Sequence, residues 1–235
     1  MFLFLQKNIK NMLSIPIQIV DSLPKDLDSR LLMPKNVAFK STVAEFLAFA
    51  EICQYKIEFH EGFIISFYEN IFGQMFNHEY VVTEFLRIVG NYIETHELDW
   101  KILSSNISVF IDIEKPCVYK PDALVFKHKP KIITFVNPTD DSKHQATPNP
   151  TNVFEVLSKS TRNFDLTEKL RNYKNIPSME QIIFAERKKF KVTVHEKINE
   201  IWLETVYTNP NDVFFVADCP VLMAKLYKNV DFDQE

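Results

Sequence analysis

Glycine is scarce in this sequence, which has only 3 glycines in 235 residues, whereas an average composition of about 7% would give roughly 16. Gly62, Gly73 and Gly90 are too far apart to build a phosphate-binding loop, because P-loops and dinucleotide-binding turns both need closely spaced glycines. The scarcity therefore excludes P-loop nucleotide hydrolases and Rossmann dehydrogenases. It also excludes the G-x-S-x-G turn that presents the serine of many hydrolases.

Cysteines and long apolar runs are also few. The three cysteines, Cys53, Cys117 and Cys219, include no C-x-x-C pair, so neither a disulfide framework nor a structural zinc site is indicated. The apolar opening at residues 1–5 is followed at once by polar and charged residues, which leaves no signal-peptide core and no membrane span of about 20 residues. We expect a cytosolic protein without a membrane partner.

A zinc-protease motif is absent as well. His78 and His96 each begin an H-E-x-x sequence, but the fifth positions hold Val82 and Trp100 instead of the second histidine. A zincin helix needs both histidines on one face. The remaining histidines are scattered, and a surface or core role is the simpler interpretation for each of them.

What the chain does have is the composition of a globular protein. It is 46% hydrophobic and 13% aromatic, with 21 phenylalanines, and a chain of this length buries on the order of 70% of its unfolded surface. The net charge of −4 is spread unevenly: residues 1–100 carry −5, residues 101–200 carry +5 and residues 201–235 carry −4. The basic middle can form a local positive face for phosphates, although ordinary solvated surface is the alternative.

The pattern along the chain predicts a mixed α/β fold. A capping box at Thr42 opens a helix over about 42–54, a hairpin turns at Gly62, and a long amphipathic helix follows. The predicted later helix spans 163–174. Strands are predicted at 101–104, 107–113, 121–126, 152–158, 180–186, 190–196 and 200–207, and the proline-rich stretch 127–150 is predicted to be an irregular lid or insert.

We expect three segments along the chain. Residues 1–40 form an N-terminal arm broken by prolines, residues 41–207 form the α/β domain, and residues 208–235 form a C-terminal extension packed on that domain as a strand and helix. The alternation of strands and helices predicts a mixed central sheet flanked by helices.

Two acidic residues occupy positions that indicate a metal-binding or catalytic role. Asp122 follows a proline at the start of one apolar strand, and Glu155 is embedded in the next strong strand. A carboxylate in such a run needs a partner, a proton or a cation. Two carboxylates on neighbouring strands suit Mg²⁺, and Lys169 on the following helix could reach the same place. These are the parts of metal-assisted phosphodiester hydrolysis.

At these residues the sequence resembles a known family. The segments 121–126, 154–173 and 179–186, with the hairpin at 55–67 and the helix start at 77–80, are similar to the Uma family of restriction endonucleases within the PD-(D/E)XK nuclease superfamily. The resemblance covers about residues 45–195. It implies a restriction-endonuclease-like α/β fold, DNA as substrate, and Mg²⁺ with Mn²⁺ as a substitute. Cutting both strands of DNA would need two sites, so we also expect a homodimer.

The same resemblance implies a role for individual residues. Asp122 and Glu155 ligate the metal, Lys169 is the catalytic lysine, and Glu58 and His78 line the site. Four of them have a specific structural alternative: a turn cap for Asp122, helix surface for Lys169, a cross-strand surface partner for Glu58 and a helix-start neighbour for His78.

The chain also departs from the superfamily pattern. Leu157 stands where the superfamily has its lysine, as is usual in this family, and Lys159 replaces a usual proline and offers a second candidate ammonium. Asp165 is expected to interact with the helix N-terminus and Tyr173 to pack. Besides a nuclease, a nucleic-acid-binding or regulatory module that has lost catalysis, and an interaction protein without a nucleic-acid role, are the competing hypotheses.

Overall fold

The structure is a computed structural model, and it describes residues 16–67, 76–104, 106–136, 141 and 143–233. The apolar opening at residues 1–5 and Gly73 lie outside the described residues. The strands are β1 (Gln18–Val20), β2 (Val37–Lys40), β3 (Glu58–His60), β4 (Phe63–Ser66), β5 (Lys101–Ser104), β6 (Ser108–Ile111), β7 (Cys117–Tyr119), β8 (Ala123–Phe126), β9 (Ile133–Val136), β10 (Lys143–Thr147), β11 (Asn152–Leu157), β12 (Gln181–Glu186), β13 (Val192–Ile198), β14 (Ile201–Tyr207), β15 (Val213–Val216) and β16 (Cys219–Leu222).

Helices connect and cover these strands. They are α1 (Leu27–Leu31), α2 (Val43–Ile52), α3 (Phe76–Thr95), α4, whose successive turns are Arg162–Phe164, Asp165–Lys169 and Leu170–Tyr173, and α5 (Met223–Leu226). The middle turn of α4 is a π-helical turn. Among the described residues, no helix has the length and apolarity needed to cross a membrane.

The strands form two large mixed sheets and a hairpin. The larger sheet has the order β1-β2-β4-β3-β7-β6-β10-β9, the smaller has the order β14-β13-β12-β11-β8-β5, and β15 pairs with β16. The chain passes from the larger to the smaller sheet between β7 and β8, over only three residues, 120–122. The predicted α/β class with flanking helices is confirmed, with two large mixed sheets where one central sheet was expected.

Local signals explain two elements near this crossing. Thr42 caps α2, and its reciprocal bonds with Glu45 form the predicted capping box. The β3–β4 hairpin turns through Glu61 at φ 48° and Gly62 at φ 91°, which is the left-handed region where glycine has no steric penalty. Both predictions are therefore confirmed, and the hairpin delivers Glu58 to the larger sheet.

The described parts of the stretch 127–150 include two strands, where its prolines predicted an irregular lid or insert. β9 and β10 pair antiparallel, with Ala146 opposite Ile133, and β10 also pairs parallel with β6. The sequence signal was weak because only one apolar run is present, and the pairing partner β6 lies far away along the chain. The tertiary hydrogen bonds supply what local propensity lacks.

Both ends of the described chain are packed. β2 pairs with β4 and β1 pairs with β2, so the N-terminal segment from residue 16 lies in the larger sheet. Arg30 of α1 is fully buried and donates to the Ser66 hydroxyl at 2.8 Å. The C-terminal segment forms a strand pair and a short helix, where one strand and a helix had been predicted, and α5 contacts α3.

The core determines which way the strand residues face. Val153 and Leu157 of β11 belong to the cluster that also contains Phe164 and Tyr173 of α4. Phe154 and Val156 belong to the opposite cluster, against α3. Because side chains alternate along a strand, Glu155 faces α4.

Candidate active site

Asp122 and Glu155 face each other across two neighbouring strands. β8 and β11 are antiparallel, and the final pair of their ladder matches Ala123 with Phe154. Continuing this register by one residue places Asp122 opposite Glu155, and directly opposed residues lie on the same face of a sheet. Both side chains are buried, with 2% and 3% exposure.

Asp122 is held by three groups from three parts of the chain. Its Oδ2 accepts a hydrogen bond from the backbone N–H of Val156 at 2.8 Å and lies 3.1 Å from Nε2 of His78. The Nζ of Lys56 lies 3.5 Å from Oδ1. Asp122 therefore bonds to the neighbouring strand and to α3, so the turn-capping alternative does not describe its contacts.

These contacts decide the charges around Asp122. Burial raises the pKa of Asp122, but Lys56 and His78 outweigh burial and bring the pKa below its ordinary value. Burial lowers the pKa of His78, while Asp122 raises it to a net value of about 9. Asp122 is thus ionised and His78 protonated at neutral pH.

Glu155 meets a lysine and a tyrosine from α4. Lys169 Nζ lies 3.0 Å from Glu155 Oε1, and the Tyr173 hydroxyl donates to the same oxygen at 2.8 Å. Tyr173 packs in the core as predicted, but its hydroxyl also contacts the candidate site. Burial raises the pKa of Glu155 to about 7, Lys169 opposes this shift and Asp122 adds to it.

The π-helical turn of α4 brings Lys169 to this position. Asp165 and Lys169 begin and end the turn, and Lys169 Nζ lies 3.2 Å from Asp165 Oδ1. Single π turns are frequent at functional sites because they change which residues share a helix face. Asp165 thus contacts the site lysine, a partner that the prediction of a helix-terminus interaction had not included.

Glu58 joins the cluster from the larger sheet. Its Oε1 lies 2.9 Å from Lys169 Nζ, and its Oε2 accepts from the backbone N–H of Lys120 at 2.9 Å. Glu58 is 1% exposed, so the surface-partner alternative is wrong. The cluster therefore lies where the chain crosses between the two sheets.

The buried ammonium of Lys169 is the centre of this cluster. Burial lowers its pKa, but Glu155, Glu58 and Asp165 outweigh burial and hold the pKa well above its ordinary value. The side chain is 3% exposed, so the surface-lysine alternative is wrong. Lys159, the second candidate lysine, is instead exposed on the protein surface.

Sequence reasoning did not identify Lys56 or Tyr119 as site residues. Lys56 lies two residues before Glu58, and that alternation in a strand-like segment is the signal that could have identified it. Tyr119 lies under Lys169, with Nζ 5.6 Å from its ring centroid. Nothing in the local sequence indicated Tyr119, because this contact depends on how α4 crosses β7.

Two comparisons with known proteins fit this geometry. The model of the family Uma2, described as "Putative restriction endonuclease", matches residues 43–221, about three quarters of the chain. An uncharacterised protein of Synechocystis sp. is 29% identical over 171 residues, which are 72% of this chain and 89% of that protein. This chain belongs to the Uma2 family. The family match extends past the resemblance at residues 45–195 and covers the C-terminal strand pair except for its last residue, Leu222.

Membership of Uma2 agrees with the restriction-endonuclease-like α/β fold seen here, and it raises the question of a metal. Among the described residues, no group of three or more His, Cys, Asp or Glu side chains is placed to hold a metal ion. The Oδ1 atom of Asp122 is buried and accepts no hydrogen bond from the described residues, and its ion-pair partner Lys56 is 3.5 Å away. Since Mg²⁺ takes one or two carboxylates and completes its shell with waters and substrate phosphates, the opposed pair Asp122 and Glu155 fits such an ion.

Proposed function

We propose that this Uma2 protein is a Mg²⁺-dependent endonuclease that hydrolyses DNA phosphodiester bonds. The observation that carries the proposal is the pair of opposed, buried carboxylates, Asp122 and Glu155, with the ammonium of Lys169 3.0 Å from Glu155. Membership of a restriction-endonuclease family supports a nuclease, and such families are metal-dependent as a rule. DNA, Mg²⁺ with Mn²⁺ as a substitute, and a cytoplasmic location are parts of this proposal.

Each residue of the pair would have a different role. Asp122, ionised through Lys56 and His78, would hold the ion, which when bound neutralises phosphate charge and makes a water more acidic. Glu155, whose pKa burial raises to about 7, would be a second ligand, and binding of the ion would favour its ionised form. Lys169 would donate a hydrogen bond to the attacking water or to a phosphate oxygen.

The test is a plasmid-nicking assay with Mg²⁺ or Mn²⁺. The variants Asp122→Asn and Glu155→Gln keep the shape of each side chain and remove its charge. We expect each to lower the nicking rate by at least about 100-fold, given that even outer-shell changes at metal sites reduce activity by 10- to 100-fold. Glu204→Gln, an exposed carboxylate on β14, is the matched control and should cut normally.

A second candidate function is supported by one feature of the same cluster. Lys56 Nζ is 3.5 Å from Asp122 Oδ1 and Lys169 Nζ is 3.0 Å from Glu155 Oε1, so both carboxylates already have a cationic partner. A protein that keeps the fold and binds nucleic acid without cutting it would retain such pairs. Metal titration separates the two functions: DNA binding without nicking in any divalent ion would favour this second candidate, and nicking unaffected by Asp122→Asn would contradict the site assignment.

We also propose a homodimer, because cutting both strands of a duplex needs two sites. β14 supports the proposal. Among the described strands, it forms the edge of the smaller sheet and pairs with β13 alone. Its apolar side chains are exposed, Ile201 by 64% and Leu203 by 50%. An open apolar edge strand is a common place for a second copy to pair.

A further inference from the structure

We propose that an exposed basic cluster beside the candidate active site, here called the edge patch, binds the backbone phosphates of duplex DNA. The edge patch consists of Lys159, after β11, together with Lys188 and Lys189, in the turn between β12 and β13. The inference rests on the proposed function, since it names the surface that would hold the substrate of that site. It adds residues that the carboxylate and lysine cluster does not include.

Strand register places the edge patch at the same end of the strands of the smaller sheet as the carboxylates. β11 and β12 are parallel, with Leu157 opposite Glu186. Lys159 follows the end of β11, and Lys188 follows the end of β12, so both lysines lie at the same end of the sheet's strands. β8 runs antiparallel to β11 and begins at this end, directly after Asp122.

A side-chain contact holds the two loops together. Arg162, at the start of α4, forms an ion pair with Glu186 at the end of β12. Arg162 is three residues after Lys159, and Glu186 is two residues before Lys188. The pair thus keeps the loop after β11 beside the β12–β13 turn, and it neutralises Glu186.

The local positive charge favours the binding of an anion, although the net charge of the whole chain is negative. Residues 187–191 contain four basic residues in five positions, while the net charge of the protein is −4. Lys159, Lys188 and Lys189 are exposed, and none has an ion-pair partner within the part of the chain that the structure describes. Unpaired surface ammonium groups attract phosphates locally and release counterions when they bind.

The C-terminal segment borders the patch on one side. Phe190, in the same turn, packs against Phe232 with ring centroids 5.0 Å apart, and this contact brings Asp231 and Asp233 near the turn. These carboxylates limit how far the positive surface extends. The phosphate path that remains leads from the turn past Lys159 toward the start of β8.

Duplex DNA is the occupant that the position favours. Nuclease chemistry at Asp122 and Glu155 requires a phosphodiester close by, and neighbouring phosphates of the same strand would then reach cations at the same sheet edge. Lysines bind phosphates as point charges and carry no base specificity. The patch should therefore contribute affinity for any sequence.

The test measures binding without cleavage. Fluorescence anisotropy with a labelled random-sequence duplex in EDTA compares the full chain with the triple variant Lys159→Ala, Lys188→Ala, Lys189→Ala. We expect the affinity to fall roughly 10- to 100-fold. The slope of log affinity against log salt should become less steep by about 2 to 3, since each phosphate that a lysine no longer neutralises reduces it by about 0.9.

The matched control removes lysines that lie at the opposite end of the strands of the same sheet. Lys129 and Lys131 are exposed and follow the far end of β8, so the double variant Lys129→Ala, Lys131→Ala should bind almost normally. A triple variant that binds like the wild type, or a control that loses as much affinity as the triple variant, would overturn the inference. Displacement by polyglutamate as effective as by duplex DNA would also overturn it, in favour of an acidic polypeptide.

Failure of this inference can be told apart from failure of the proposed nuclease. DNA binding that depends on the edge patch, with no nicking in Mg²⁺ or Mn²⁺, would contradict the nuclease and leave the binding surface in place. Nicking that requires Asp122 but does not respond to the triple variant would contradict the edge patch alone.

Discussion

At the residue scale, the protein surrounds one lysine with three acids inside its core. Lys169 contacts Glu58, Glu155 and Asp165 within 3.2 Å. Such a cluster is costly to bury unless its members neutralise each other, and removing one member leaves charge without a partner. A cluster kept at this cost in the middle of a fold is a strong indication of function.

Replacing Lys169 should therefore affect both stability and activity. In Lys169→Met, the three carboxylates lose their shared cation, and we expect the free energy of unfolding to fall by about 3–5 kcal/mol and nicking to be lost. Urea denaturation and the plasmid assay measure the two effects. Lys159→Met changes an exposed lysine and should leave stability within about 0.5 kcal/mol; equal effects of the two variants would contradict the assignment of Lys169.

His60 gives the protein an acid-sensitive position outside this cluster. The Tyr119 hydroxyl accepts from the Asn172 amide at 2.8 Å and lies 2.7 Å from Nδ1 of His60. His60 Nε2 is buried and forms no hydrogen bond with the described residues, although Oε2 of Glu168 lies 3.8 Å away. Burial lowers the pKa of His60 to about 3, so the folded protein holds this imidazole neutral.

The sign of the resulting pH dependence follows from linkage. In the unfolded chain, histidine binds a proton near pH 6.5, whereas in the folded protein His60 does so near pH 3. The contribution of neutral His60 to the free energy of unfolding is therefore fully present above pH 6.5. It is lost as the pH falls from 6.5 toward 3, by up to about 1.4 kcal/mol per pH unit. We expect urea titrations to show this extra loss in the wild type relative to His60→Gln. Parallel curves for the two proteins between pH 6.5 and 4.5 would contradict the prediction.

At the scale of single elements, helix capping and the alternation of side chains along strands explain most of the helices and strands. α2 begins at a capping box in which Glu45 N–H donates to the Thr42 hydroxyl at 3.2 Å and Thr42 N–H donates to Glu45 at 2.8 Å. The helix buries Phe46 and Leu47 against the larger sheet. α4 differs, because its π turn is not visible in any periodicity of the sequence.

The capping box makes a prediction that concerns stability alone. Thr42→Ala removes the hydroxyl that accepts the first free N–H, and we expect a loss of about 1 kcal/mol in the free energy of unfolding. Thr42→Ser keeps the hydroxyl and should lose much less. Thermal and urea unfolding measure both variants, and a Thr42→Ala protein as stable as the wild type would show that the box contributes nothing here.

At the scale of the whole molecule, two sheets meet at the point where the candidate site lies. Residues 120–122 pass from one sheet to the other, so Glu58 on the larger sheet and Asp122 and Glu155 on the smaller one reach a common volume. α4 closes that volume with Lys169 and Tyr173. The smaller sheet also has the edge patch at one end of its strands and the open edge of β14 at its side.

The proposed homodimer can be tested at this scale. Sedimentation equilibrium should give a mass near two chains, and Leu203→Lys should shift it toward one chain, because a charge placed in an apolar edge opposes pairing with a second copy. Glu204→Lys on the same strand carries a new charge at a position that is already polar and should shift the mass less. A wild-type mass near one chain would contradict the dimer.

The sequence by itself determined most of the elements and the acidic pair. The capping box, the Gly62 turn, the long helix and the buried strands carry local signals, and an acid within an apolar strand such as Glu155 already requires a partner. Only the tertiary structure decided the rest. Strand register set Asp122 opposite Glu155, a π turn brought Lys169 to Glu58 and Glu155, and β6 provided the pairing partner of β10. All three depend on contacts between residues far apart along the chain.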